Sequence, residues 1–177
     1  VGVAAIVCVS SIFNGFREVY QSSMTAFDPH VRIEPKEGRY VMLDAEQTQR
    51  IEHAPHVRAY SPLVSGRGIL RKYNLFTVVQ LHGVQPATFN EVSGLRNSII
   101  VGEFLSTEDT HAGEALPRIV VGAELAMNAR VQIGDTVELL SPDFISRAVQ
   151  SFIPPQGLSA VVGGIFYTNN KEYNATF

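Results

Sequence analysis

The chain has 177 residues, of which 45% are hydrophobic and 18% charged, a composition typical of a folded globular protein rather than a disordered one. Lys and Arg number 14 against 17 Asp and Glu, so the net charge is -3. Binding to a phosphate backbone requires a basic excess, and nucleic acid is therefore not expected as a partner. The single cysteine, Cys8, excludes an intramolecular disulfide, and its apolar surroundings predict a buried thiol.

The N-terminal segment, residues 1–16, contains no charged side chain. It falls short of the roughly 20 apolar residues that a spanning helix needs. It also lacks the basic region and cleavage site of a signal peptide, and an amphipathic stretch follows it up to Phe27. The residues alone fit two structures equally well, the last part of a transmembrane helix and a buried N-terminal helix of a soluble protein.

The segment from residue 28 to residue 53 predicts a strand and a short helix. Pro29 ends the first helix because it has no amide hydrogen to donate, and the alternation in residues 30–34 predicts a strand. Asp44 and Gln47 have the spacing of a capping box, which predicts a helix from Ala45 to about His53.

The remainder alternates between strand and helix patterns. Residues 57–84 predict a β-ribbon, broken at Pro62, Gly66 and Gly68 and turning at residues 72–74. The further predictions are a helical turn within 87–95, an apolar run at 97–102, a strand at 118–121, a helix from Gly122, a turn at 133–135, and strands at 135–140 and 158–166.

No pattern predicts a catalytic, metal or cofactor site. The histidines His30, His53, His56, His82 and His111 are dispersed, and Pro55 breaks the helix that would have aligned the only close pair. The acidic residues Glu103, Glu108, Asp109 and Glu114 lack the order of a calcium loop, so we interpret them as a solvated loop. The chain also lacks a nucleophile elbow and a phosphate-binding loop, so any ATP would be bound by another chain.

Two sets of apolar residues are candidates for contacts with partners. A proline-stiffened segment is suited to present a hydrophobic knob, although its side chains fit packing into the core equally well; its candidate residues are Phe144, Phe152, Ile153, Pro154, Pro155 and Gln156. Near the N terminus, Phe13, Phe16 and Val19 are candidates for contact with a lipid chain, the alternative being helix packing.

Four blocks of sequence resemble the permease subunits of the lipoprotein-releasing ABC transporter, the LolC/LolE family, and behind them the macrolide-export and FtsX-like permeases. They occur in the family's order along the whole chain, at residues 12–16 with 29–33, 81–86 with 92–95, 119–126 with 131–137, and 161–166 with 172–174. The third block is the most specific.

The resemblance implies an α+β fold and three segments. Residues 1–27 would be the end of the first transmembrane helix and its extracytoplasmic extension. Residues 28–84 together with 158–177 would form a porter-like α+β subdomain, incomplete at its C terminus, and residues 85–157 an inserted β-rich subdomain. A loop before the fourth block, here residues 141–157, hooks the soluble carrier in one subunit type of the family.

The function implied is that of a non-catalytic periplasmic domain in the inner membrane of a Gram-negative bacterium. Its expected partners are a cytoplasmic ABC ATPase subunit, a second permease subunit, lipoprotein cargo and a periplasmic lipoprotein carrier. Because residues 141–157 do not match the hook residue by residue, the cargo-receiving subunit and a single permease with both roles stay open. The alternatives are a macrolide-type or peptide-type export permease and a soluble hydrolase.

Overall fold

The computed structural model of the chain describes residues 2–25, 29–36, 38, 40–107, 116–141 and 157–177. The chain divides into two compact units, residues 1–54 and residues 55–177, called here the N-terminal unit and the sheet unit.

The N-terminal unit contains helix α1, Gly2–Thr25, and helix α2, Ala45–Glu52. The capping box of α2 is confirmed: Gln47 N donates to Asp44 Oδ1 at 2.7 Å, and Asp44 N donates to Gln47 Oε1 at 3.2 Å. Within the described residues, no helix has both the length and the apolar character needed to cross a membrane.

The strand predicted over residues 30–34 is wrong. Residues 31–35 form neither helix nor strand, and the two apolar side chains, Val31 and Ile33, are 78% and 59% exposed. Alternating residues form a strand only where a neighbouring strand completes the backbone hydrogen bonds, and no described segment pairs with this one.

The sheet unit contains six strands, three α-helices and one 3₁₀ helix within the described residues. The strands are β1, Leu63–Lys72; β2, Leu75–Val84; β3, Ile99–Gly102; β4, Arg118–Gly122; β5, Thr136–Leu140; and β6, Leu158–Phe166. The helices are α3, Pro86–Val92; α4, Ala123–Asn128; and α5, Lys171–Thr176, and the 3₁₀ helix is Gly94–Ser98.

All six strands belong to one sheet with the order β2-β1-β5-β6-β3, and β4 pairs with β6 outside this path. The predicted β-ribbon is confirmed as the β1–β2 hairpin, which turns at Tyr73 with a φ of 52°. Strand β6 is the centre of the sheet, because it pairs antiparallel with β3 and β5 and parallel with β4. Pairing on both edges makes it the strand with the most neighbours.

Helix α4 covers one face of the sheet and closes the core. Its Leu125 and Ala126 are buried against Leu70, Val79 and other apolar side chains of the sheet. The nine buried residues of this core are Leu70, Val79, Val121, Leu125, Ala126, Ala129, Val131, Val137 and Val162. The alternation along the strands therefore leaves one face for the core and the other for solvent and polar contacts.

The mixed helix and sheet composition agrees with the predicted α+β class. Strands β1 and β2 precede the predicted boundary at residue 85, β3 to β5 lie between residues 85 and 157, and β6 follows. All of them share the sheet. The division into porter-like and inserted subdomains stays a prediction.

Candidate partner-docking site

The candidate docking segment is the connection between β5 and β6. These strands are antiparallel, and their last paired residues before the connection are Leu139 and Leu158. The predicted contact residues Phe144, Phe152, Ile153, Pro154, Pro155 and Gln156 lie outside the described residues. The structure describes the two roots of the connection, which are Leu140 and Ser141 on one side and Gly157 on the other.

The N-terminal root is held by burial. Leu140 is the last residue of β5, pairs with Ile69 of β1 and is only 2% exposed. Ser141, the next residue, is exposed. Burying a leucine side chain contributes roughly 1.5–3 kcal/mol, so the chain leaves the sheet from a fixed point.

The C-terminal root is held by Glu138, which lies on β5 two residues before Leu140. Gly157 N donates a hydrogen bond to Glu138 Oε1 at 3.3 Å. A Cβ on Gly157 would overlap Glu138 Cγ and lie 2.8 Å from Leu140 Cδ2, so a side chain at position 157 does not fit. The other carboxylate oxygen, Oε2, forms an ion pair with Arg71, its directly opposite partner on β1.

A second ion pair lies next to the first along β1, on the opposite face of the strand. Lys72 Nζ donates to Asp135 Oδ2 and, at 2.7 Å, to Arg130 O. Gln132 N donates to the same Asp135 oxygen at 2.6 Å. The hydrogen bond from Lys72, followed by that from Gln132, lowers the pKa of the Asp135 carboxyl. These contacts join the end of β1 to the turn between α4 and β5.

The glycine pair of the fourth sequence block brings three segments close together. Gly164 has no room for a side chain, because a Cβ there would overlap the carbonyl oxygen of Glu103. Glu103 N in turn donates to Gly163 O at 3.0 Å. A Cβ on Gly163 would lie 2.6 Å from Arg118 Nε. These glycines thus have a packing role.

The other residues of the fourth block fix the C-terminal helix against β4. Asn174 is 1% exposed. Its side-chain Oδ1 accepts a hydrogen bond from Thr168 N at 2.8 Å, and its Nδ2 donates one to Thr168 O at 2.7 Å. Gly122 N donates to Phe177 O at 2.6 Å. Gly122 of the third block also pairs with Phe166 of the fourth block, so the two blocks are in direct contact.

The candidate lipid-contact residues lie on α1, in the N-terminal unit. Phe13 is 71% exposed and Phe16 is 67% exposed, whereas the side chain of Val19 lies outside the described residues. Cys8 on the same helix is exposed. The prediction of a buried thiol is wrong because no described side chain covers the apolar run around it.

In the described ranges, no group of three or more His, Cys, Asp or Glu side chains could hold a metal ion. Sequence reasoning missed Glu138, Arg71, Lys72 and Asp135. Of these four residues, only Asp135 lies beside a local sequence signal, the turn predicted at Gly134, which has a φ of 84°.

Comparison with known proteins gives the same relationship as the four sequence blocks. The profile of the family described as MacB-like periplasmic core domain matches residues 1–173. The lipoprotein-releasing system transmembrane protein LolE of Haemophilus influenzae is 26% identical over 146 residues, covering 78% of this chain and 33% of LolE. LolC of Neisseria meningitidis serogroup B is 26% identical over 145 residues, covering 80% of this chain and 33% of LolC.

The chain thus spans about a third of the length of the curated relatives it matches. A similar solved structure is the extracellular domain of the noncanonic ABC-type transporter YknZ from Gram-positive bacteria. It has a TM-score of 0.46 and 13% sequence identity, and the match covers 71% of this chain and 62% of that one. The predicted resemblance to the LolC/LolE permeases is confirmed, and the chain belongs to the MacB-like periplasmic core domain family.

Proposed function

We propose that this chain is the periplasmic domain of an ABC-transporter permease that helps to release lipoproteins from the inner membrane of a Gram-negative bacterium to a periplasmic carrier. The observation that carries the proposal is the match to LolE and LolC over 78% and 80% of the chain. Both relatives are described as transmembrane proteins of a lipoprotein-releasing system.

In this proposal the domain acts by transmitting movement and not by catalysing a reaction. A lipid anchor costs about 0.8 kcal/mol per CH₂ to expose to water, so its extraction needs an energy source and an apolar shelter. A separate cytoplasmic subunit hydrolyses ATP, and a second permease subunit completes the transporter. The domain transmits motion of the membrane helices to the cargo and catalyses no covalent step.

Two parts of the chain have assigned roles in this proposal. Helix α1 is the end of the first transmembrane helix, and its exposed Phe13 and Phe16, with Val19, contact the lipid anchor. The β5–β6 connection docks the carrier, because its roots at Leu140 and Gly157 are held to the sheet while fifteen residues separate Ser141 from Gly157. A long connection on a rigid hairpin is a common place for a binding residue.

The test is binding of the purified chain to the soluble lipoprotein carrier of the same organism, compared with Phe152→Asp and Pro155→Asp. We expect the wild type to bind at micromolar concentration or tighter and both variants to lose binding. The matched control is Val78→Asp, an apolar residue on β2 that is 70% exposed and far along the sheet order from β6. Equal loss in the control would contradict docking by the connection.

A second candidate function is export of a small molecule or peptide by a macrolide-type permease. The family match over residues 1–173 favours it, since the family is described as MacB-like. A folded wild-type chain that binds no carrier would favour this candidate or the cargo-receiving subunit. The two differ in partner: export of this type requires a protein that reaches the outer membrane.

A further inference from the structure

The outer edge of β2 is the longest open strand edge among the described residues. Strand β2 has ten residues and pairs only with β1 in the described part of the chain. Strands β3 and β4 also pair with a single strand each, but they have four and five residues. Short edge strands limit pairing with other chains. The backbone N–H and C=O groups along the outer side of β2 therefore form an edge without this protection.

The side chains of β2 do not protect this edge either. The strand contains no Asp, Glu, Lys or Arg, although charged residues, lysine above all, are the usual protection of an exposed edge. Phe76 is 62% exposed and Val78 is 70% exposed. Side chains alternate between the two faces of a strand, so these two lie on one face and the buried Val79 on the other. Strand β2 is therefore an uncharged edge with two neighbouring apolar side chains exposed to solvent.

From this edge we propose that β2 pairs antiparallel with β2 of a second copy of the chain, around a twofold axis at Thr77. Antiparallel pairing reverses the order of the residues, so with this axis Phe76 of each copy lies opposite Val78 of the other. Two neighbouring apolar positions are thus complementary to themselves, and an aromatic side chain opposite a β-branched one stabilises paired strands. The inference is independent of the proposed function, since neither cargo nor carrier enters it.

The charges at the hairpin favour a second copy as the partner. The strand itself brings no like charges together. Arg71, just before the turn, pairs with Glu138, and Lys72 pairs with Asp135. Both cations are therefore neutralised within their own copy and do not repel the other. A partner of different sequence would have to be uncharged at the same positions, a condition that a second copy meets by its own composition.

The first measurement is the oligomeric state of the purified chain by sedimentation equilibrium. We expect the wild type to form a reversible dimer with a dissociation constant on the order of 10 µM, because one added strand buries less area than a standard interface. Phe76→Lys and Val78→Glu should each weaken the dimer about tenfold or more. Both side chains are exposed, so the thermal midpoint of each variant should stay within about 3 °C of wild type. A wild type that stays monomeric up to its solubility limit would overturn the inference.

Mixing the two variants tests the register. In an equal mixture of Phe76→Lys and Val78→Glu, a mixed dimer places the two introduced charges, which are of opposite sign, directly opposite each other. We expect the mixture to dimerise at least about threefold more tightly than either variant alone. The control mixture is Phe76→Lys with Val64→Glu, because Val64 is 55% exposed but lies on β1, away from the paired edge. Equal recovery in the two mixtures would overturn the inference.

The second measurement follows hydrogen exchange in the wild type and separates β2 from α1. We expect amides within residues 75–79 to exchange about fivefold more slowly or less as the protein concentration rises through the dimerisation range, because new hydrogen bonds form along the outer edge. The amides of β1 should not change. Phe13→Asp is the control on α1, where this ring is 71% exposed, and it should leave the dimer intact. Loss of the dimer in Phe13→Asp but not in Phe76→Lys would overturn the inference.

Discussion

The two units of the chain differ in how far they bury their phenylalanine side chains. In the sheet unit, Phe166 is 2% exposed on β6, whereas in the N-terminal unit Phe13 is 71% exposed on α1. The sheet unit supplies its own cover, because α4 packs its apolar side chains against the strands. On α1, by contrast, Val3, Ile6, Ile12 and Phe13 are each at least 68% exposed, and the same helix carries polar residues such as Ser10, Ser11 and Asn14.

The largest expected effect on the free energy of unfolding comes from replacing the buried one of these two phenylalanines. Phe166→Ala should lower the free energy of unfolding by about 3–5 kcal/mol, because it removes a buried aromatic ring and leaves a cavity. Phe13→Ala should change it by less than about 0.5 kcal/mol, since the ring is exposed. Urea unfolding in detergent-free buffer measures both. A large effect of Phe13→Ala would mean that α1 packs as part of the folded core.

A smaller effect compares two glycines within the sheet unit. A Cβ on Gly122 would overlap the carbonyl oxygen of Asn174 and lie 2.8 Å from its Cα, whereas nothing lies within 4 Å of a Cβ on Gly66. Gly122→Ala should therefore cost about 1–3 kcal/mol of stability, because the clash is with backbone. Gly66→Ala should change stability by less than about 1 kcal/mol. If both were tolerated equally, α5 would not be held against β4.

The smallest expected effect depends on pH and tests the Lys72–Asp135 pair. The pKa of Asp135 is lowered in the folded chain, so the unfolded state binds a proton more readily and the pair stabilises the fold above the ordinary carboxyl range. Asp135→Asn should cost about 1 kcal/mol at pH 7, and the difference should shrink as the pH falls below about 4.

The measurement for this pair is the unfolding free energy of wild type and Asp135→Asn between pH 7 and pH 3. Lys72→Met is the matched control, because it removes the main cause of the lowered pKa and should flatten the same part of the curve. A difference between wild type and Asp135→Asn that stays constant across this range would show that the charge of Asp135 is not what stabilises the turn.

Local signals in the sequence predicted most of the elements. Asp44 and Gln47 predicted α2 because a capping box involves residues three apart. The glycine in the run 133–135 predicted the turn before β5, and Gly134 there has a φ of 84°, a conformation that favours glycine. The predicted breaks at Gly66 and Gly68 did not occur, since β1 runs through both. Gly68 lies under Leu81, a close approach that favours glycine within a strand.

The features that sequence reasoning missed depend on contacts between distant residues. Lys72 and Asp135 are 63 positions apart, and neither has a local pattern that indicates the other. Residues 30–34 show the opposite error: their alternation is typical of a strand, but no described segment lies beside them to pair with. Glu138 and Gly157, which share a hydrogen bond, also come together only through the pairing of β5 with β6.

The central place of β6 has a consequence for the order of synthesis. Strand β6 follows the other five strands along the chain, yet it pairs with β3, β4 and β5. A nascent chain therefore exposes the unpaired edges of three strands until residues 158–166 have emerged. Long-range pairing of this kind slows folding and leaves strand edges open to aggregation, so the sheet cannot be completed before β6 is available.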